Sequence, residues 1–136
     1  MKMLQLLLAA GVALTAACAA QVPPRSDRAS MQSLIGDAGC SSDAQCKTVG
    51  VGAKACGGPQ SYLAFSTVRT DESALRALAD ASAEADRQRA EAKGMASTCS
   101  VVPDPGAFCD RSQPAAGSAG TCRLQSGRGA AGPLAR

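Results

Sequence analysis

The chain has no histidine and no tryptophan, and only one tyrosine and two phenylalanines. Without histidine it lacks the usual general base, the Ser–His and Cys–His nucleophile pairs and most zinc sites. No C-x-x-C occurs: the six cysteines from Cys40 onward are separated by 5, 9, 42, 9 and 12 residues. A thioredoxin-like redox centre therefore lacks its motif. Gly57-Gly58 is not a phosphate loop, because neither the wider glycine pattern nor a following Lys-Ser/Thr is present. Basic residues are scattered and the formal charge is only +3, so there is no nucleic-acid footprint. After Ala20 no apolar run is long enough to cross a membrane, which takes about 20 residues. These absences favour a protein that is not an enzyme, needs no cofactor and binds no nucleic acid.

What is present begins with an export signal. Lys2 is followed by the uncharged stretch Leu4–Ala17, rich in Leu, Ala and Val and ending in small residues. This order reads as a signal peptide rather than a buried helix. Two cleavage sites compete. Ala17-Cys18-Ala19 is an A-x-A site cut before Ala20, and simple secretion by that route discards Cys18. Leu14-Thr15-Ala16-Ala17-Cys18 instead resembles a bacterial lipobox, cut before a cysteine that carries a thioether-linked lipid. Thr15 stands where that family most often has Leu. The lipobox is the preferred reading, with Cys18 the lipidation site. In lipoproteins that resemble this chain, Ala19 rather than Asp after the cysteine implies the outer membrane, facing the periplasm or the surface.

Seven cysteines support export. With Cys18 lipidated or discarded, Cys40, Cys46, Cys56, Cys99, Cys109 and Cys122 remain, and six can pair completely. Fifteen pairings are possible, and spacing does not choose among them. Only Cys46–Cys56 is disfavoured, because an extended run between them holds their Cα atoms apart. Tetrathiolate zinc is the less favoured alternative in an oxidising compartment, so no metal is assigned. The 46 % apolar content is dominated by Ala, which buries little of the surface that stabilises at about 25 cal/mol per Å². Small exported domains compensate with disulfides, each contributing about 2–4 kcal/mol.

The chain divides into a signal at 1–17, a lipidated cysteine and tether at 18–37, a disulfide-knit domain at 38–125 and a disordered tail at 126–136. Ser30–Ile35 forms at most a short helical turn ended by Gly36. Cys40–Cys46 is a polar loop. Lys47–Val51 alternates, with Val49 and Val51 on one face and Gly50 and Gly52 on the other, where another backbone comes close. Cys56-Gly57-Gly58-Pro59 is a turn. Ser61–Thr67 is a second strand, with Tyr62, Ala64 and Ser66 opposite Leu63, Phe65 and Thr67. Asp71–Lys93 is a helix: Thr70 or Asp71 caps it, Gly94 ends it, Glu72 is i,i+4 to Arg76, and Lys93 suits the dipole. Its small-residue face, Leu75, Leu78, Ser82, Ala85 and Ala92, implies close packing on a sheet. Thr121–Gln125 is a third strand. The expected fold is α+β, a small disulfide-stabilised domain of two or three short antiparallel strands and one long helix.

Asp104 and Asp110 lie in the Cys-rich C-terminal region. They are read as solvated loop acids rather than a catalytic pair. Tyr62 and Phe65 supply most of the aromatic surface and belong first to the core and its edge. If Tyr62 is exposed beside Gly57, Gly58 and Pro59, those residues make a rigid patch for a partner, and a disulfide-held loop loses little entropy on binding.

The run from Cys40 to Ser66 resembles uncharacterised bacterial exported Cys-rich proteins and lipoproteins with C-x5-C followed by C-G-G-P-x2-Y. The residues that carry it are Cys40, Asp43, Cys46, Gly52, Cys56, Gly57, Gly58, Pro59, Tyr62 and Ser66. Ser97-x-Cys99, Cys109 and Cys122 also fit, while Phe65 stands where Tyr is more usual. The resemblance implies a shared disulfide-stapled fold and transfers no activity. The first functional reading is a cell-envelope lipoprotein, a non-catalytic binding or structural module, held at the membrane by its lipid and meeting an envelope protein. The second is an anchored or secreted inhibitor of a hydrolase, a protease or lysozyme, using the Cys56–Tyr62 loop. The third is a thiol-based redox protein.

Overall fold

A computed structural model describes residues 28–96 and 99–125. The expected signal at 1–17, the expected lipidation site Cys18, the first part of the expected tether and the expected tail at 126–136 lie outside the described residues. The fold is α+β. Helix α1 (Arg28–Ile35) leads to the two-residue strand β1 (Gly39–Cys40), a 3-10 turn (Asp43–Gln45) and β2 (Cys46–Val51). Then follow β3 (Ser61–Ser66), the long helix α2 (Glu72–Ala92), β4 (Ala107–Asp110) and β5 (Gly120–Leu124). Two small antiparallel sheets result: β2–β3, and β1-β5-β4 in that order. The structure thus adds β1 and β4 to the three strands read from the sequence. Among the described residues no helix is long and apolar enough to cross a membrane.

The β2–β3 hairpin forms because its alternation suits a sheet with one buried face. Val49 and Val51 on β2 and Leu63 and Phe65 on β3 are buried, and Val49 and Leu63 are direct partners in the ladder. Ser66 is also buried, and its hydroxyl donates to the Gly39 carbonyl at 2.6 Å, satisfying a polar group that would otherwise be costly inside. That bond links the hairpin to the second sheet. The Thr67 N–H donates to the Gln45 carbonyl at 2.8 Å, which carries the β2–β3 ladder one residue further, into the 3-10 turn.

Helix α2 starts where expected, at an Asp71 carboxylate that accepts from the Ala74 N–H at 3.0 Å. It ends at Gly94 with φ +57°, the left-handed conformation a helix stop favours. Thr70, the other capping candidate, instead donates from its hydroxyl to the Ile35 carbonyl. Leu75, Ala79 and Ser82 are the buried positions, and the helix packs against β2 and α1. The stripe therefore runs 75–79–82 and on to Asp86 rather than to Ala92, which is exposed. Glu72 bridges Arg76 on its own helix and Lys47 on β2, and those hydrogen bonds, Arg76 first, lower its pKa.

The packed unit begins earlier than residue 38. Met31 and Ile35 lie one turn apart on α1, and both are buried in the core cluster with Phe65 and Leu75. Part of the stretch read as tether is thus a structural helix. The face of Gly50 and Gly52 differs from expectation in what approaches it. A Cβ on Gly50 would lie 3.1 Å from the Pro59 side chain, and one on Gly52 would lie 2.5 Å from the Asp86 carboxylate, so side chains and not backbone fill the space.

The six described cysteines form three bridges: Cys40–Cys109, Cys46–Cys122 and Cys56–Cys99. The first two tie the β1–β2 segment to the β4–β5 hairpin. Gly120 makes room for this join, because a Cβ there would sit 2.7 Å from the Asp110 carbonyl and 2.9 Å from the Cys109 sulfur.

Phe65 is fully buried, whereas Leu34 on α1 is 41 % exposed. We expect Phe65→Ala to lower the unfolding free energy by about 3–5 kcal/mol and Leu34→Ala to change it by less than about 0.5 kcal/mol. Urea denaturation of the oxidised protein measures both.

Candidate contact site at the Cys56–Cys99 bridge

The loop between β2 and β3 turns on Gly57 (φ +94°) and Gly58 (φ +76°), conformations that favour residues without a Cβ. Two hydrogen bonds close it: Lys54 N–H to the Gly58 carbonyl at 3.0 Å, and Gly57 N–H to the Lys54 carbonyl at 2.9 Å. Gln60 N–H then donates to the Val51 carbonyl and starts the ladder. The turn read from Cys-Gly-Gly-Pro is present, and Cys56, Gly57 and Gly58 are exposed at its tip.

Three links hold the loop to the segment after α2. The Cys56–Cys99 disulfide is the first. Lys54 Nζ donates to the Ser100 carbonyl at 2.6 Å, and the Tyr62 hydroxyl donates to the Val102 carbonyl at 3.4 Å. Between the loop and this segment lies a surface cleft of about 340 Å³, walled by Gly57, Gly58, Pro59 and Tyr62 on one side and Val101 and Val102 on the other. Val101 is 86 % exposed. The structure therefore brings together all four residues proposed for partner contact. Tyr62 is half-buried, with its ring at the edge of the hairpin and its hydroxyl already engaged.

Sequence reasoning missed the opposing wall. Val101-Val102 is an apolar pair in an otherwise polar stretch just after Cys99, and that is the signal that marks it. It also missed Asp86 and Gln60, which brace the loop from behind. Asp86 Oδ2 accepts from the Ala53 N–H at 3.0 Å and from Gln60 Nε2 at 3.1 Å, while Oδ1 pairs with Arg89. Asp86 falls at the 3.6-residue spacing of the buried stripe, so a carboxylate there has to find partners.

The two C-terminal carboxylates stay apart in role. Asp104 accepts from Thr48 Oγ1 at 2.6 Å and from the Gly106 N–H. Asp110 accepts from Ser112 and pairs with Arg123 at 3.0 Å, and those Ser112 hydrogen bonds lower its pKa. Each holds a turn or a strand end.

The cleft presents a glycine-rich backbone tip, one aromatic side chain and two valines. The chain matches no known protein-family model, no curated protein and no solved structure.

Both half-cystines of the Cys56–Cys99 bridge are exposed, whereas Cys40, Cys109 and Cys122 are buried. Limiting phosphine reduction followed by alkylation is expected to label Cys56 and Cys99 first, with the far-ultraviolet dichroism unchanged. Equal labelling of all six would contradict this order.

Proposed function

We propose that this chain is a bacterial cell-envelope lipoprotein whose mature domain is a non-catalytic binding module. The observation that carries the reading is the cysteine arrangement. Three bridges use all six cysteines from Cys40 onward, and Cys18 alone remains, behind a lipobox-like sequence. A bridged domain fits an oxidising compartment, and the C-x5-C and CGGP pattern resembles exported proteins. On this reading the lipid on Cys18 holds the domain at the outer membrane. The Cys56–Tyr62 loop and its cleft then face an envelope partner.

One observation favours a second reading, that of a hydrolase inhibitor. The Cys56-Gly57-Gly58 tip is exposed and held from two sides, by the disulfide and by the Ala53–Gln60–Asp86 hydrogen bonds. A loop fixed before binding loses little entropy when it enters an active-site groove.

Intact mass of the protein from bacterial envelopes, after alkylation with and without reduction, tests the first reading. The expected result is a chain starting at Cys18 with added acyl mass, and six thiols that appear only on reduction. A chain starting at Ala20 without lipid would contradict it. For the second reading, Tyr62→Ala is expected to abolish inhibition of a protease or lysozyme while the protein stays folded. Unfolding of that variant would instead return Tyr62 to a purely structural role.

A further inference from the structure

Three of the six bridged sulfurs form one group in the interior, and a fourth is bonded to one of them. The Sγ atoms of Cys40, Cys46 and Cys109 lie within 4.8 Å of one another, and Cys122 is bonded to Cys46. Cys109 and Cys122 also stand directly opposite each other in the β4–β5 ladder. Yet neither is bonded to the other. Cys109 is joined to Cys40 and Cys122 to Cys46. Directly opposed residues of an antiparallel pair have Cα atoms about 4.5 or about 5.5 Å apart. Both distances fall within the about 4.4–6.8 Å that a disulfide spans. A second complete pairing of the same four sulfurs, Cys40–Cys46 with Cys109–Cys122, is therefore within reach of side-chain rotation.

We infer that this sulfur quartet is a thiol–disulfide exchange site, at which a low-molecular-weight thiol interconverts the two pairings. Cys46 is the least buried residue of the four. It borders a surface cleft of about 430 Å³ with Lys47, Arg76 and Asp104. Cys46 Sγ is buried in the closed domain, so the external thiolate attacks it when this edge opens locally. A mixed disulfide forms and the Cys122 thiolate leaves. The Cys122 thiolate attacks the facing Cys109 sulfur, forming Cys109–Cys122 and releasing the Cys40 thiolate. The Cys40 thiolate then attacks Cys46 Sγ of the mixed disulfide, forming Cys40–Cys46 and expelling the external thiolate. No electrons are gained or lost overall, and the thiol is regenerated. The Cys56–Cys99 bridge is exposed to the same thiol but lies apart, on the β2–β3 loop, so its own exchange does not alter the pairing of the other four.

The exchange changes what is covalently held. In the pairing seen here both bridges cross from the 40–46 segment to the β4–β5 hairpin, with sequence separations of 69 and 76. In the second pairing both bridges are local, and the hairpin keeps only its hydrogen bonds and packing. The site thus acts as a releasable clamp on β4–β5.

The test incubates the oxidised wild-type protein with a small amount of reduced glutathione, quenches with acid and maps the bridges by mass spectrometry. Digestion with trypsin and an Asp-specific protease cuts at Asp43, between Cys40 and Cys46, and at Arg111, between Cys109 and Cys122. The same incubation in urea supplies the fully scrambled reference. Expected are Cys40–Cys46 and Cys109–Cys122 peptides in equal amounts, appearing at a rate proportional to the thiol, with no net gain of alkylatable thiol. Native links alone would overturn the proposal. So would links from the quartet to Cys56 or Cys99 in the proportions seen in urea.

Discussion

The fold depends on the pair of disulfides that joins the 40–46 segment to the β4–β5 hairpin. Strand β1 is two residues long and β4 is four, too short to hold a sheet by hydrogen bonding alone. Cys40–Cys109 and Cys46–Cys122 tie that sheet covalently, from β1 to β4 and from β2 to β5. With these ends fixed, Ser66 meets the Gly39 carbonyl and Cys122 N–H meets the Ala38 carbonyl at 2.9 Å. The core needs this help. Its fully buried large side chains are few, led by Phe65, Met31 and Leu75. Bridges that close long loops restrict the unfolded chain most, by the chain-entropy account.

The third bridge does different work. It lies outside the core, on a loop whose tip is exposed, and it sets the position of Cys99–Val102 against Gly57–Tyr62. Helix α2 supports that loop from behind through Asp86, so the long helix serves both the core, by Leu75 and Ala79, and the contact site. The core and the exposed loop are thereby held by different disulfides. Under the proposed function, that division lets a lipid-anchored module display a rigid loop.

Much of this was legible in the sequence, and the exceptions have physical causes. The Asp71 cap, the Gly94 stop and the Val49/Val51 and Leu63/Phe65 alternation located α2, β2 and β3, because each signal is local. β5 was also found, near residues 121–125. β1 and β4 were not, because they exist only where the bridges and neighbouring strands hold them. Helix α1 was read only as a short turn over Ser30–Ile35 within the tether, although Met31 and Ile35 carry the i,i+4 spacing of a buried face. The disulfide pairing was out of reach, since it is set by tertiary approach and not by spacing. The four proposed contact residues did converge on one cleft. Its valine wall and its Asp86 brace come from segments distant in sequence, which no local pattern connects.

The central claim is that two long-range bridges hold the C-terminal hairpin to the N-terminal segment. The most direct measurement is the disulfide map of the native oxidised protein, taken without exposure to thiols. The account predicts Cys40–Cys109, Cys46–Cys122 and Cys56–Cys99. A native map with Cys40–Cys46 and Cys109–Cys122 as the sole pairing, or with alkylatable thiols among the six, would contradict it.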